Sequence, residues 1–508
     1  MRRTLYIFLP ILCLILSSGT PRNTIQDKAL ALVTNPLLKN ASVGILAVTA
    51  SGDTLACFDC DRLLLPASNL KLVTTGLAMH SLGADYRYST KIGYTGKIEN
   101  GVLSGDLYII GGGDPTTASR NPIARPINEI FEKWKDCIEK AGIKRIKGRI
   151  IGDARCFEPM PEHETWQYAD IGTYYGCGVS GLSYFENEIQ FKVSPGEKVG
   201  DPVIISQLYP MTPWMTIGQD TRTGKPGTPN TLYLYTTDLA PDALWRGSFP
   251  LGRSPKIEDA ANKFPSYTCA WHFTEYLKNC GIICDGGPLQ CCGPLSPEDP
   301  ATPEKLRTPV APAEKISIIG ETLSPRMSDI AGVTNRDSNN LYAETLMKTL
   351  GMEYCGSGCY DSSYVAVERL FDEIGMNPGT SHKIYDGSGL SRQNLVSASF
   401  FCEFLLRMMD SPCFGDYIEA IGHPGGEGTM KSMLASLPEE TRERIRIKSG
   451  SMTGVRCFSG YIIPESGSRE DTIVFSIMTN NFNCPISKIQ PLIDSLISEI
   501  ACIGICKK

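Results

Sequence analysis

Three short groups of residues carry side chains that together suit nucleophilic catalysis. Ser68 and Lys71 lie three residues apart in LPASNLKLVTT, after a proline and at the start of a predicted helix, so they share one helix face. The sequence SNN at 338–340 precedes another predicted helix, and KSG at 448–450 lies in a predicted strand. A serine hydroxyl needs a base within hydrogen-bonding reach before it can attack a carbonyl. The first group therefore predicts an activated serine.

The chemistry of an acyl transfer accounts for these residue types. Lys71 can act as the base if burial and the nearby Lys448 lower its pKa, because both disfavour a charged ammonium group. The backbone N–H of Ser68, at a helix N-terminus, and that of Ser451 are suited to hold the oxyanion.

The second and third groups suit the leaving group and the substrate. Ser338 can relay a proton to the leaving amine, and Asn340 can hold Lys71 and bond the substrate amide. Lys448 offers a cation to an anionic substrate end such as a terminal carboxylate. Gly450 is expected to leave room for the substrate along the strand.

Each residue also has a structural interpretation. Ser68 can cap its helix, and Lys71 can be a solvated helix lysine. Ser338 and Asn340 can cap the following helix, and Lys448 can be a charge on an edge strand. The occurrence of all three groups in this order and in matching predicted elements favours catalysis.

The elements that must position these groups form one interrupted unit. A hairpin is predicted from residue 43. It is followed by helices at 68–82, 127–141, 339–351, 361–375 and 397–412, strands at 444–450, 458–464 and 471–480, and a final helix from about 486 to 503. Residues 191–311 are rich in Pro, Gly and turns, and a surface connection is predicted at 291–315. We predict an α/β (α+β) catalytic domain from residues 24–86 plus 312–508, with β-rich residues 87–311 inserted.

Composition and the N-terminus restrict the function classes. The chain has 508 residues and a net charge of −6, which disfavours binding to nucleic acid. MRR followed by a short apolar segment predicts a signal peptide at residues 1–20 and hence export. An uncleaved anchor is the alternative, which Pro10 and the short apolar length disfavour.

The chain has 19 cysteines, 18 of them after the predicted signal. An even number in an exported protein predicts disulfides, although the pairing cannot be deduced from sequence. Reduced thiols are the alternative if the compartment is not oxidising. A structural zinc site at the Cys57-x-x-Cys60 sequence is disfavoured because no second pair follows at finger spacing and the chain has only five histidines.

The three groups resemble the acyl-serine motif set of penicillin-binding proteins and serine β-lactamases. Three longer stretches resemble the peptidase S13 group in particular: GDLYIIGGGDPT at 105–116, YDGSGLSRQNLVSA at 385–398 and KSGSMTGVRCFSGYI at 448–462. This group comprises low-molecular-mass class C penicillin-binding proteins, which are D-alanyl-D-alanine carboxypeptidases and endopeptidases.

The resemblance implies a fold and a function. The fold would be the transpeptidase-like fold of penicillin-binding proteins and β-lactamases, with a large β-rich insertion that forms two extra, nested domains. Ser68 would be the nucleophile, Lys71 the base, Ser338 the proton relay and Lys448 the contact for the substrate carboxylate. Ser449 replaces the usual threonine of the third motif but keeps its hydroxyl. It would bind substrate together with Lys448, Gly450 and Ser451.

The implied substrates are peptidoglycan stem peptides, with β-lactams as inhibitors and no cofactor or metal. The location would be the periplasm or extracytoplasmic cell envelope, with peripheral association with membrane or cell wall left open. For Asp386 and Arg392 a structural role in a turn and a role in shaping the site stay equally open.

Two other functions compete with this interpretation. A β-lactamase or esterase on the same scaffold is disfavoured by the large insertion, and a non-catalytic peptidoglycan-binding protein is disfavoured by the intact motifs. A Ser-His-Asp hydrolase is less favoured still, because the chain lacks a G-x-S-x-G elbow and a suitably placed histidine.

Overall fold

The computed structural model describes residues 24–291 and 315–505. The predicted signal peptide and nearly all of the predicted surface connection lie outside these residues. The helices are α1 (Thr24–Val33), α2 (Lys71–Leu82), α3 (Ile127–Lys140), α4 (Pro265–Asn279), α5 (Met327–Arg336), α6 (Asn340–Cys355), α7 (Tyr360–Glu373), α8 (Ala398–Met408), α9 (Phe414–Ala420), α10 (Glu439–Glu443) and α11 (Ile486–Ile505). Short 3₁₀ turns occur at Pro36–Leu38, Ala67–Leu70, Tyr174–Gly176, Phe185–Asn187 and Gly428–Met430.

The two ends of the chain together build one antiparallel sheet of five strands, in the order β2-β1-β22-β21-β20. Its strands are β1 (Ser42–Thr49), β2 (Thr54–Phe58), β20 (Ile445–Met452), β21 (Val455–Ile462) and β22 (Ile473–Asn480). The central strand β22 is buried along its whole length because helices cover both faces of the sheet. Side chains of α1 and α11 pack on one face, and those of α2 and α8 belong to the cluster on the other.

Helix α2 lies within the hydrophobic cluster that it shares with α8, and its residues Lys71 to Met79 are all buried. The buried stretch includes the polar residues Lys71, Thr74 and Thr75, so the helix is enclosed on its polar as well as its apolar faces. Gly76 allows close packing, since a Cβ there would lie 2.8 Å from the Phe404 ring. The helix that begins beside Ser68 is therefore rigidly enclosed.

The inserted segment, together with strand β17 from beyond it, forms four further sheets. Their strands are β3 (Ser89–Tyr94), β4 (Lys97–Glu99), β5 (Val102–Ser104), β6 (Leu107–Ile110), β7 (Arg145–Ile146), β8 (Ile150–Asp153), β9 (Glu188–Ser194), β10 (Ile204–Tyr209), β11 (Thr216–Gly224), β12 (Tyr233–Thr237), β13 (Ala240–Pro250), β14 (Lys256–Ala261), β15 (Ile283–Cys284), β16 (Pro288–Gln290) and β17 (Ser317–Leu323). The sheet orders are β15-β7-β5-β4, β16-β8-β6-β3-β17, β10-β9-β14 and β11-β13-β12. The first two share one hydrophobic cluster with α3 and α4, and the last two build a second cluster around Trp214 and Trp245.

Strand β17 lies beyond the predicted boundary at residue 312 yet pairs with β3 of the inserted segment. A two-stranded ladder, β18 (His382–Lys383) with β19 (Leu395–Val396), joins the ends of the DGSGLSR stretch. The stretch is therefore held as a compact loop.

The predicted hairpin, the three predicted strands around the third motif and the predicted helices are present. One helix end is displaced, and five observed helices, α1, α4, α5, α9 and α10, were not predicted. The helix predicted to end at Gly351 continues to Cys355, and Gly356, in the left-handed conformation at φ 73°, ends it. Gly351 is instead a packing position, because a Cβ there would lie 2.8 Å from the backbone N of Ser363. Helix α4 was not predicted in the turn-rich segment 191–311.

The cysteines of the described residues form no disulfide with one another, so the structure contains none of the predicted disulfides among them. Within residues 24–291 and 315–505, no helix is long and apolar enough to cross a membrane. The same residues include no group of three or more His, Cys, Asp or Glu arranged to hold a metal ion.

Candidate active site

Ser68 and Lys71 meet at the junction between the 3₁₀ turn Ala67–Leu70 and helix α2. The one-turn spacing brings Lys71 Nζ to 3.0 Å from Ser68 Oγ. Lys71 Nζ also donates to Asn340 Oδ1 at 2.7 Å and to the carbonyl of Ser388 at 2.8 Å. If the amine loses one proton, two N–H bonds can still hold it in place while its lone pair faces the serine hydroxyl.

Burial tunes Lys71 for this role. The side chain is fully buried, and desolvation lowers its pKa from 10.5 to about 7. The nearby carboxylates of Glu344 and Asp386 act in the opposite direction. The sequence suggested Lys448 as a second cause of the low pKa of Lys71, but in the structure the repulsion between the two lysines lowers the pKa of Lys448.

The loop before α6 presents Ser338 and Asn340. Asn339 caps the helix by accepting the N–H of Tyr342, so Asn340 is the first helical residue. Ser338 adopts a left-handed backbone with φ 61°, which points to a constrained loop. Asn340 accepts from Lys71 through Oδ1 and donates through Nδ2 to the Tyr175 carbonyl at 2.9 Å. These two bonds fix the orientation of the amide.

Strand β20 closes the opposite side of the site. Lys448 is buried and donates to Ser338 Oγ at 3.0 Å and to the Ser449 carbonyl at 2.8 Å. Desolvation lowers its pKa well below the usual range, and Lys71 and Arg456 add repulsion. Lys448 therefore has no anionic partner among these contacts, as expected for a cation that receives one from a ligand.

Gly450 is required by close approach of two backbones. A Cβ at this position would lie 2.4 Å from the Pro66 carbonyl oxygen and 3.1 Å from the backbone N of Ser68. The glycine therefore makes room for the turn that carries Ser68, whereas the sequence reasoning assigned that space to the substrate. The next residue, Ser451, faces the cavity.

A cavity of about 730 Å³ opens over these residues. Ser68, Ser338, Asn340 and Ser451 line it together with residues of the inserted segment and of the DGSGLSR loop, namely Arg120, Tyr174, Tyr175, Glu186, Glu188, Leu390 and Arg392. Its size fits a short peptide rather than a single small ion.

Two buried carboxylates hold the DGSGLSR loop. Asp386 accepts from the backbone N–H of Gly389 at 2.8 Å and of Ser391 at 2.6 Å. Glu344, from the interior of α6, accepts from the N–H of Gly387 at 2.9 Å and of Ser388 at 2.7 Å. Asp386 therefore has the turn-capping role that the sequence left open, whereas Arg392 reaches the cavity.

The inserted segment contributes directly to the site. The Tyr175 carbonyl orients Asn340, and the carboxylate of Glu186 accepts from Asn339 Nδ2 at 3.1 Å. Trp166 donates its indole N–H to Asp386 at 2.9 Å. The insertion thus supports the second motif and the DGSGLSR loop at the same time.

The structure brings the eight predicted site residues into one place: Ser68, Lys71, Ser338, Asn340, Lys448, Ser449, Gly450 and Ser451. The sequence reasoning missed Glu344, Trp166 and the carbonyls of Tyr175 and Ser388. The one available signal was Glu344, which is one of two charged residues, with Lys348, in the helix sequence NLYAETLMKTLG.

A family model matches most of the chain. It is described as the D-Ala-D-Ala carboxypeptidase 3 (S13) family, and it matches residues 26–289 and 301–496. A D-alanyl-D-alanine carboxypeptidase of Actinomadura sp. (strain R39) is 25% identical over 487 residues, which cover 92% of this chain and 83% of that protein. A penicillin-sensitive carboxypeptidase A of Dictyostelium discoideum is 23% identical, covering 88% and 84%.

The fold also matches that of a solved crystal structure. The crystal structure of penicillin binding protein 4 from Haemophilus influenzae aligns with a TM-score of 0.77 at 19% identity, covering 94% of this chain and 99% of that one. A complex of the same protein with a β-lactam aligns with a TM-score of 0.72 at 18% identity. The predicted penicillin-binding-protein-like fold with extra β-rich domains is confirmed.

Proposed function

The chain belongs to the D-Ala-D-Ala carboxypeptidase 3 (S13) family and is a serine-type D-Ala-D-Ala carboxypeptidase; we propose that it cleaves peptidoglycan stem peptides through an acyl-enzyme on Ser68. The observation that carries the proposal is the 3.0 Å contact between Ser68 Oγ and the fully buried Lys71 Nζ. A base within this distance and with a pKa of about 7 is suited to take the hydroxyl proton at neutral pH.

Acylation follows from this pair. Neutral Lys71 accepts the proton of Ser68 Oγ as the oxygen attacks the carbonyl of the penultimate D-alanine. The bonds from Lys71 to Asn340 and to the Ser388 carbonyl hold the amine in place during the transfer. The backbone N–H groups of Ser68 and Ser451 would stabilise the negative charge that develops on the carbonyl oxygen.

The leaving amine needs a proton, and Ser338 is placed to supply it. Its hydroxyl accepts from Lys448 at 3.0 Å, so a proton given to the amine can be replaced from the lysine. Terminal D-alanine leaves, and the acyl group stays on Ser68. Lys71 then releases to solvent the proton that it took from Ser68, and Lys448 regains the proton that it gave to Ser338. Water hydrolyses the ester with neutral Lys71 again acting as the base, and this proton returns to Ser68 Oγ as that oxygen leaves.

The terminal carboxylate of the substrate would lie at Lys448 and the hydroxyls of Ser449 and Ser451. Lys448 is buried without an anionic partner among its described contacts, and an arriving carboxylate would favour its charged form. A β-lactam carries a carboxylate next to a strained amide, so it would occupy the same position and acylate Ser68. The complex of the Haemophilus influenzae protein with a β-lactam supports this inference.

We also propose that the protein works outside the cytoplasm, after export directed by residues 1–20. Peptidoglycan lies in that compartment, and the relatives with the same fold include a penicillin-binding protein. Residues 24–86 plus 312–508 would form the catalytic domain, with β17 contributed to the sheet of the inserted segment 87–311.

The activity is tested by the release of D-alanine. Protein without residues 1–20 is incubated with an acetylated stem pentapeptide that ends in D-Ala-D-Ala, and free D-alanine is measured. We expect release by the wild type and by Ser466→Ala, a distant exposed control, and its loss in Ser68→Ala. A matched peptide ending in D-Ala-L-Ala checks stereochemical selectivity.

Penicillin hydrolysis and peptidoglycan binding, measured on the same protein, separate the alternatives. Rapid hydrolysis of a penicillin without release of D-alanine would instead indicate a β-lactamase on the same scaffold. Peptidoglycan binding without either reaction would indicate a non-catalytic binding protein.

A further inference from the structure

Two fully buried carboxylates, Glu344 and Asp386, lie close to Lys71 without binding it directly. The three described acceptors of the lysine are Ser68, Asn340 and the Ser388 carbonyl. Burial disfavours the charged form of a lysine, so a buried ammonium group requires a nearby negative charge or hydrogen-bond acceptors for all of its N–H groups. The carboxylates are the candidates for that charge.

The backbone of Ser388 connects these carboxylates to the lysine. Its N–H donates to Glu344 Oε1 at 2.7 Å, and its carbonyl accepts from Lys71 Nζ at 2.8 Å. The neighbouring N–H of Gly389 donates to Asp386 Oδ1 at 2.8 Å. The peptide group between Ser388 and Gly389 therefore lies between Lys71 and Asp386, and Glu344 holds the residue on its other side.

We propose that Glu344 is a positioning residue for Lys71. It fixes the Ser388 backbone, and its ionised carboxylate, when present, favours the ammonium form of the amine. The inference rests on the proposed function, in which Lys71 is the base. Glu344 would not touch substrate. Its loss would misplace one of the three groups that hold the lysine and would remove part of the charge that offsets its burial.

The other buried lysine near Glu344 is paired with a different carboxylate. Lys348, one turn further along α6, is also fully buried, but it pairs with Glu158 at 3.1 Å and lies over the ring of Tyr360. The hydroxyl of Tyr360 donates to Glu344 at 3.1 Å. The titratable and charged groups that face Glu344 or its loop are Lys71, Asp386, Tyr360, Tyr364, Lys348, Glu158 and His163.

The test measures how the rate of acylation by a fluorescent penicillin depends on pH. In the wild type the rate should fall as pH decreases and Lys71 becomes protonated. Glu344→Gln removes a charge that favours the ammonium form, so the midpoint of this fall should move to lower pH by roughly one unit. The maximal rate should also fall, because glutamine replaces one of the two accepting oxygens with an NH2 group, which would face the N–H of Gly387 or of Ser388.

Thr74→Val is the matched control. Thr74 Oγ1 donates to the Gly387 carbonyl at 2.6 Å, so this change disturbs the same backbone segment without altering any charge. A purely structural role for the segment would lower the maximal rate in both variants and leave both midpoints in place. We expect a displaced midpoint in Glu344→Gln alone.

The outcomes separate this inference from the proposed function. No acylation of the wild type would overturn the function itself. A folded Glu344→Gln protein with an unchanged or raised midpoint would overturn only the positioning role. If that variant does not fold, Tyr360→Phe provides the test. Loss of the Tyr360 hydroxyl donor disfavours ionised Glu344, so the midpoint should move to lower pH by a smaller amount than in Glu344→Gln. An unchanged midpoint in Tyr360→Phe would also reject the inference.

Discussion

The acylation rate should fall steeply between pH 8 and pH 5, because Lys71 must be neutral before it can accept the proton of Ser68. Burial lowers the pKa of Lys71 from 10.5 to about 7. At pH 7 an ordinary lysine is neutral in about 0.03% of molecules, whereas a lysine with this pKa is neutral in about half of them. The neutral fraction then falls from about 0.9 at pH 8 to about 0.01 at pH 5, so acylation should slow about 90-fold.

The assay follows the covalent capture of a fluorescent penicillin at concentrations below saturation, with samples denatured at successive times. Tryptophan fluorescence across the same pH range shows whether the fold is intact. Glu344 is buried near Lys71, and its pKa is raised to about 7, mainly by desolvation, so the midpoint belongs to the pair. A rate that changes less than about threefold between pH 8 and pH 5, or a midpoint close to that of a free lysine, would refute the reasoning.

Three further changes should have distinct effects. Lys448→Ala should raise the KM at least about 10-fold for a peptide with a free terminal carboxylate and much less for the same peptide with a terminal amide. Release of the last residue measures both KM values. An equal rise in KM for the two peptides would contradict the carboxylate contact. Gly450→Ala should lower the free energy of unfolding by about 1–3 kcal/mol and slow acylation, since its Cβ would meet the Pro66 carbonyl at 2.4 Å. Denaturant unfolding measures the change, with Gly415→Ala, whose Cβ has open space, as the control that should be near neutral. Asn340→Ala should slow acylation about 100-fold with little change in penicillin affinity before acylation, because the amide holds Lys71; an unchanged acylation rate would contradict this role.

Local patterns in the sequence were enough to predict the parts of the site that follow one another closely along the chain. The three-residue spacing of Ser68 and Lys71 on a helix sets their contact, and the alternation in RIRIKSG predicts the strand that presents Lys448. The order of the three motifs and the resemblance to a known family then supplied the fold.

Contacts made by distant packing could not be predicted in this way. The carbonyl of Tyr175 and the indole of Trp166 reach the site because the inserted segment folds back onto α6 and the DGSGLSR loop. Gly351 was interpreted as a helix end, but a glycine that packs against a neighbouring helix has the same local sequence signal. The role proposed for Glu344 depends on its contact with a loop more than 40 residues away. No local sequence pattern predicts that contact.

The most direct test of the proposed mechanism is to locate the covalent adduct after reaction with penicillin. Protein lacking residues 1–20 is treated with penicillin, digested and examined by peptide mass spectrometry, with Ser68→Ala alongside. We expect the mass of one penicillin on the peptide that contains Ser68 and no adduct in the variant. An adduct on another residue, or one that persists in Ser68→Ala, would contradict the assignment of Ser68 as the nucleophile.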